Sequence, residues 1–135
     1  MTEFQSCLPL KPGIWAVSEP WPSELRLSDA GHNMKISFQS GETFDLPAEL
    51  LRVESPSAEV RGHGPGQEQL VFGKRLVSIL RIGPVGNYAV RLMFSDGHSS
   101  GIFTWAYLAK LGVEQDEIWN AYLAKLEAEG RSRDP

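Results

Sequence analysis

Cysteine is nearly absent: Cys7 is the only one in the 135-residue chain. A single thiol excludes an intramolecular disulfide and any cysteine-rich metal or cluster site built from one chain. It also sits in a proline-rich setting without an adjacent base, which discounts it as a nucleophile. No apolar run approaches the roughly 18 residues that a membrane-spanning helix requires. The opening MTEFQSCLPLKPG lacks the basic start and apolar stretch of a secretory leader. A cytoplasmic protein with no membrane partner is the expectation. Positive charge is also in short supply, with 13 Lys and Arg against 17 Asp and Glu, a net charge of −4. The longest basic cluster, Gly73-Lys74-Arg75, is too small to track a phosphate backbone, so no nucleic-acid partner is expected. No G-x-S-x-G elbow occurs, which argues against a serine hydrolase. Gly62-His63-Gly64-Pro65-Gly66 is neither the dinucleotide fingerprint nor a phosphate-binding loop with its Lys-Ser/Thr.

What is present suits one domain with its own core. Hydrophobic residues make up 41% and charged residues 22%, somewhat below the usual apolar share but well clear of disorder. Four Trp and six Phe offer aromatic anchors. The centre is Tyr88 to Trp105, YAVRLMFSDGHSSGIFTW. Tyr88, Val90, Leu92 and Phe94 alternate with Ala89, Arg91, Met93 and Ser95, a strand pattern. Asp96-Gly97 is a strong turn signal, and Gly101 to Trp105 resumes an apolar run. The expectation is a tight hairpin with His98 just past its bend.

Around this stretch the chain divides as follows. Residues 1–20 form a proline-rich arm, because prolines at this density prevent regular structure. Glu24 to Ser28, Met34 to Gln39 and Thr43 to Leu46 read as an antiparallel meander with short loops. Pro47 to Val53 suits a short helix with proline at its first position. Ser55 to Gln67 is a long Gly/Pro/Ser segment without periodicity, and loops of that kind carry function or lack order. Val77 to Ile82 is β-prone, and Gly83 to Asn87 reads as the turn after it. Thr104 suits the cap of a helix over Trp105 to Leu111, ended by Gly112 in a left-handed conformation. Glu114 to Glu129 is a second helix, with Ile118, Trp119, Tyr122, Leu123 and Leu126 on one stripe and Gly130 at its end. RSRDP reads as a frayed tail. The fold class is α+β: an antiparallel meander of about six strands followed by two C-terminal helices.

Few residues can carry chemistry. His98, with Asp96 two positions before it, suits a metal ligand or a general base oriented by a carboxylate; equally, it suits a turn histidine bonded to local groups. His63 lies among glycines that allow a ligand to approach, or simply a contorted loop.

The block LLRVESPSAEVRGHGPGQ, followed by YAVRLMFSDGHSSGIFTWAYL, closely resembles small bacterial proteins similar to the N-terminal domain of gamma-butyrobetaine hydroxylase. The resemblance covers residues 21–112, leaving 113–130 as an appended amphipathic helix and 131–135 as tail. It implies a small β-rich module that, in the hydroxylase, holds structural zinc through three cysteines and a histidine. The histidine matches His98. The cysteines, spaced C-x-C-x-x-C, match Ser55, Ser57 and Val60. Two hydroxyls and a valine do not replace thiolates at a tetrahedral zinc site, so no metal is expected, and His98 is expected to tie the turn to the Ser55–Ser57 loop. The hydroxylase's catalytic iron belongs to a different domain for which this chain has no room. Related domains are appended to Mrp-type P-loop proteins that carry iron–sulfur clusters.

The resulting expectation is a non-catalytic accessory or protein-interaction module in iron–sulfur protein maturation, with an iron–sulfur carrier as partner and no cofactor. Its surface would comprise Ser55, Ser57, Glu59, His63, Asp96 and His98. The alternative is a zinc or iron protein using His98, His63 and a carboxylate such as Asp96 or Glu59. A small enzyme with Asp96–His98 as base pair ranks third. The sequence does not specify the oligomeric state.

Overall fold

The computed structural model describes residues 21–56 and 70–135. Among these residues six strands form two three-stranded antiparallel sheets, followed by two helices, which is the α+β class expected. The first sheet holds β1 (Pro22–Ser28), β2 (Asn33–Phe38) and β3 (Thr43–Pro47), with β2 central. The second holds β4 (Ile79–Val85), β5 (Ala89–Phe94) and β6 (Ile102–Thr104), with β5 central. Between the sheets in sequence lies α1 (Ala48–Val53); after them come α2 (Trp105–Val113) and α3 (Gln115–Ala128). The expected meander is thus split in two, because α1 and the segment after it interrupt it between β3 and β4.

Alternation explains which face of each central strand is inside. Met34, Ile36 and Phe38 of β2 and Val90, Leu92 and Phe94 of β5 are buried. They meet Leu50 and Leu51 of α1 and Leu108 and Leu111 of α2 in one core shared by both sheets. A smaller cluster gathers Val53, Tyr122 and Leu126, with Leu70, Val71 and Trp119 packed against it. The α3 stripe is therefore buried at Tyr122 and Leu126, while Leu123 faces solvent.

Several local expectations are corrected. Pro47 caps α1 in an extended conformation and is not its first helical residue. β4 continues through Gly83 and Pro84, where a turn was expected. Pro84 is tolerated because β4 is an edge strand, which leaves one side of its backbone without ladder bonds. Tyr88 lies outside the strand and is exposed. β5 and β6 pair over only three residues, from Ala89↔Thr104 to Arg91↔Ile102. The tight bend is nonetheless real. Phe94 N–H donates to the His98 carbonyl at 3.0 Å and Gly97 N–H to the Phe94 carbonyl at 3.0 Å, after which residues 99–101 lead away to β6.

Thr104 caps α2 as expected, accepting the Tyr107 N–H at 3.1 Å. Gly112 does not end it: the helix runs to Val113. Glycine is needed there because a Cβ would overlap the Phe44 ring of β3. Gly130, at φ +65°, does end α3, with Arg131 N–H bonded to the Leu126 carbonyl at 2.8 Å, the six-to-one bond of a Schellman cap. The segment beyond is docked, not frayed. Ser132 and Arg133 carbonyls accept from Gly73 and Arg75 N–H at 3.0 and 2.9 Å.

Candidate functional site

Two tethers, one at each end of α1, organise the surface where functional residues were expected. Helix α1 is too short to persist alone, so its placement depends on what its ends hold.

Just past its C-terminal end, Ser55 is buried and its hydroxyl lies 2.9 Å from Nε2 of His98, which is itself buried. The hydrogen bond joins the segment after α1 to the β5 turn. Gly101 completes the contact: a Cβ there would overlap the Ser55 hydroxyl and lie 3.4 Å from Pro56. Phe94 adds a tilted ring contact to His98 at 6.1 Å.

Asp96 sits beside this pair but does a different task. Its Oδ2 accepts from Arg52 Nε at 2.8 Å and from Lys74 Nζ at 2.6 Å, while Oδ1 accepts the backbone N–H of His98 at 3.1 Å. Partial burial by itself raises its pKa. The Lys74 bond, the His98 N–H and Arg52 outweigh that and hold the carboxyl down at about 2. Asp96 thus bonds the backbone N–H of His98 and fixes the turn; the general-base reading would need the carboxylate on the ring. Lys74, read from sequence as part of a small basic cluster, is an ion-pair partner of Asp96.

Sequence reasoning placed Ser55, Asp96 and His98 on one surface; the fold brings the three together, but Ser55 and His98 are buried and present no open surface. Ser57, Glu59, Val60 and His63 lie outside the described residues. Ser55 and His98 do not fit the zinc site implied by the resemblance. A hydroxyl and an imidazole hydrogen-bonded to each other are not a thiolate and a histidine spread around a tetrahedral ion. Among the described residues no group of three His, Cys, Asp or Glu side chains is placed to hold a metal ion.

Other residues here were not found from sequence. Ser95 N–H donates to the Ser78 carbonyl at 2.8 Å, which brings the start of β4 against the turn. Leu76 and Leu80 flank this junction at 66% and 68% exposure. Leu80 falls at the irregularity between Ile79 and Arg81 in the β4–β5 register, where an extra residue turns outward. A β-bulge leaves no composition signal, so the outward leucine was not legible. From sequence Leu80 is one more residue of a β-prone run.

At the N-terminal end of α1 the tether is ionic. Glu49, 6% exposed, accepts from Arg133 Nε at 2.9 Å and Nη2 at 2.7 Å, and Arg133 stacks over Trp119 at 5.1 Å. The carboxylate, ahead of the opposing effect of burial, raises the Arg133 pKa above its already high value.

Among the described residues no helix is long and apolar enough to cross a membrane. A sequence model of the family described as gamma-butyrobetaine hydroxylase-like, N-terminal, matches residues 25–109. No curated protein matches the chain. An NMR solution structure of a protein 46% identical has a TM-score of 0.75 and matches over 86% of this chain and 91% of its own. A second NMR structure, at 44% identity and TM-score 0.75, matches over 93% and 92%. A crystal structure of a DUF971-family protein of unknown function from Acidithiobacillus ferrooxidans is 44% identical, with a TM-score of 0.57 over 67% of this chain and 91% of its own.

Proposed function

The chain belongs to the gamma-butyrobetaine hydroxylase-like N-terminal family, and on that premise we propose that it is a non-catalytic interaction module serving iron–sulfur protein maturation. The observation that carries this reading is the exposure of two leucines, Leu76 and Leu80, on either side in sequence of Ser78, whose carbonyl accepts the Ser95 N–H of the His98 turn. Large apolar side chains left in solvent mark contact sites when they fall together on a surface. The residues beside them support the same reading. His98 bonds Ser55, and Asp96 bonds Arg52, Lys74 and the turn backbone. Those bonds stiffen the platform that presents the leucines, and pre-ordered surfaces bind with less entropic loss. The partner is a P-loop iron–sulfur carrier, by analogy with the related domains fused to such proteins.

Calorimetric titration of the purified carrier into this protein tests the proposal. Saturable binding weakened about ten-fold by Leu80→Ser, with folding retained, is expected, since apolar anchors dominate such contacts. Equal binding by the variant would refute the surface, and no binding would refute the partner. Elemental analysis of untagged protein and of His98→Ala separates the metal-binding alternative. Close to one zinc or iron per chain, lost in the variant, would replace the interaction reading with a metalloprotein.

A further inference from the structure

The segment after α3 is seated as a ligand is seated. Arg131 lies over the Phe72 ring at 4.7 Å, Arg133 grips Glu49 and Trp119, and Asp134 pairs with Arg75 at 2.6 Å. Main-chain N–H groups of Gly73 and Arg75 hold it from one side. Main-chain bonds plus side-chain pockets are the means by which proteins bind extended peptides. Nothing apolar from residues 131–134 enters the core, and Gly130 gives the segment a pivot. The Arg75–Asp134 pair is exposed and opens at low cost, whereas Glu49 is buried and gives up Arg133 readily only to another cation.

Glu49 makes the site selective. Its carboxylate is buried on a short helix packed into the core. A buried carboxylate left without a cation is strongly unfavourable, so the site requires a cationic occupant whether or not Arg133 is in place. A bidentate acceptor beneath a tryptophan face is matched to a planar guanidinium better than to an ammonium. Nor does the segment fill the space available. A pocket of about 270 Å³ remains beside Arg133, bounded by Pro47, Leu50, Gln115, Asp116 and Trp119. A ligand longer or bulkier than this segment has room there.

We propose that this surface is a docking site for an arginine-bearing extended segment of a partner protein, and that residues 131–134 are its resident occupant in cis. The partner's arginine replaces Arg133 between Glu49 and Trp119, and its neighbouring residues enter the adjoining pocket. The resident segment, tethered at millimolar effective concentration, competes with it.

The test uses the full chain and a fluorescein-labelled peptide, GRSRDP, blocked at both ends. Arg133→Ala, which removes the group competing for Glu49, is expected to bind the peptide about ten-fold more tightly than the unaltered chain, because the intramolecular guanidinium no longer occupies that carboxylate. Adding Glu49→Gln is expected to abolish that gain. Equal affinity of the unaltered chain and Arg133→Ala, or a gain that survives Glu49→Gln, would overturn the proposal. Should Arg133→Ala not fold, the unaltered chain decides. Excess unlabelled peptide is expected to move the Arg133 side-chain N–H resonance toward its solvent-exposed position; an unmoved resonance at saturating peptide would refute the exchange.

Discussion

The two ends of α1 are anchored by opposite means. At one end a neutral hydroxyl meets a buried imidazole, Ser55 to His98; at the other a buried carboxylate meets a guanidinium from 84 residues away, Glu49 to Arg133. Both hold the same six-residue helix. They differ in what they demand of their surroundings. A hydrogen bond between two buried side chains contributes about 1 kcal/mol net and depends on close packing more than on ionic strength. An ion pair with one partner at the surface responds to salt, and its buried member is costly to abandon. The first end is built to be fixed, the second to be exchangeable.

Packing at the fixed end gives the largest expected effect. Gly101→Ala places a methyl where the Ser55 hydroxyl lies. The clash displaces Ser55 from His98 and leaves two buried polar groups without each other, a loss of about 3 kcal/mol from overpacking plus the unmade bond. Urea unfolding measures it. A loss under about 1 kcal/mol would mean that the Ser55 loop yields freely, and the fixed end would not be fixed. Next in size is the contrast itself. Glu49→Ala is expected to cost about 2 kcal/mol and Ser55→Ala about 1 kcal/mol. Double-mutant cycles with Arg133→Ala and His98→Ala isolate the two coupling energies. High salt is expected to reduce the Glu49–Arg133 coupling and leave the Ser55–His98 coupling unchanged. Equal salt response at both ends would break the distinction.

Acid attacks the fixed end through its neighbour. Asp96 has its folded pKa depressed from 3.8 to about 2. A depressed carboxylate pKa adds stability that is complete above the unfolded value and lost as pH falls through the folded one. The window is therefore from about pH 4 down to about pH 2. Lys74 and Arg52 remain partly solvated, so after screening the contribution is about 1 kcal/mol. Asp96→Asn is expected to remove that slope from the stability–pH profile between pH 4 and pH 2. An unchanged slope would assign acid sensitivity to other carboxylates.

How much of this was legible in the sequence follows from how local each signal is. Period-two alternation located the buried faces of β2 and β5, and helical spacing found Tyr122 and Leu126. Thr104 and Gly130 announced a helix start and a helix stop because caps act within one turn. The substitution of serine for cysteine, read against a resemblance, correctly joined His98 to the Ser55 loop. What failed depends on partners distant in the chain. Gly112 reads as a terminator until Phe44 is seen against it. Gly83-Pro84 reads as a turn until β4 is known to be an edge. RSRDP reads as a loose tail because nothing near it in sequence explains it; its explanation is a buried glutamate 84 residues earlier. Glu49 itself, in a short helical stretch after Pro47, looked like an ordinary first-turn acid.

The smallest expected effect sharpens the exchangeable end most. Arg133→Lys keeps the positive charge, so Glu49 is not left unpaired, and the backbone bond from Arg75 N–H to the residue-133 carbonyl does not depend on the side chain. What the substitution removes is shape. Arg133 bonds both Glu49 oxygens at 2.9 and 2.7 Å while stacking over Trp119 at 5.1 Å, and a lysine ammonium, a point donor, has no planar fork to span the two oxygens. With charge retained and geometry lost, the stability change is expected to be about 0.5 kcal/mol, accompanied by a change in Trp119 fluorescence as its ring face is uncovered. A loss equal to that of Glu49→Ala would mean that the guanidinium plane, not its charge, holds the segment. No change in either stability or fluorescence would mean that any cation suffices, and the preference for arginine at this surface would be withdrawn.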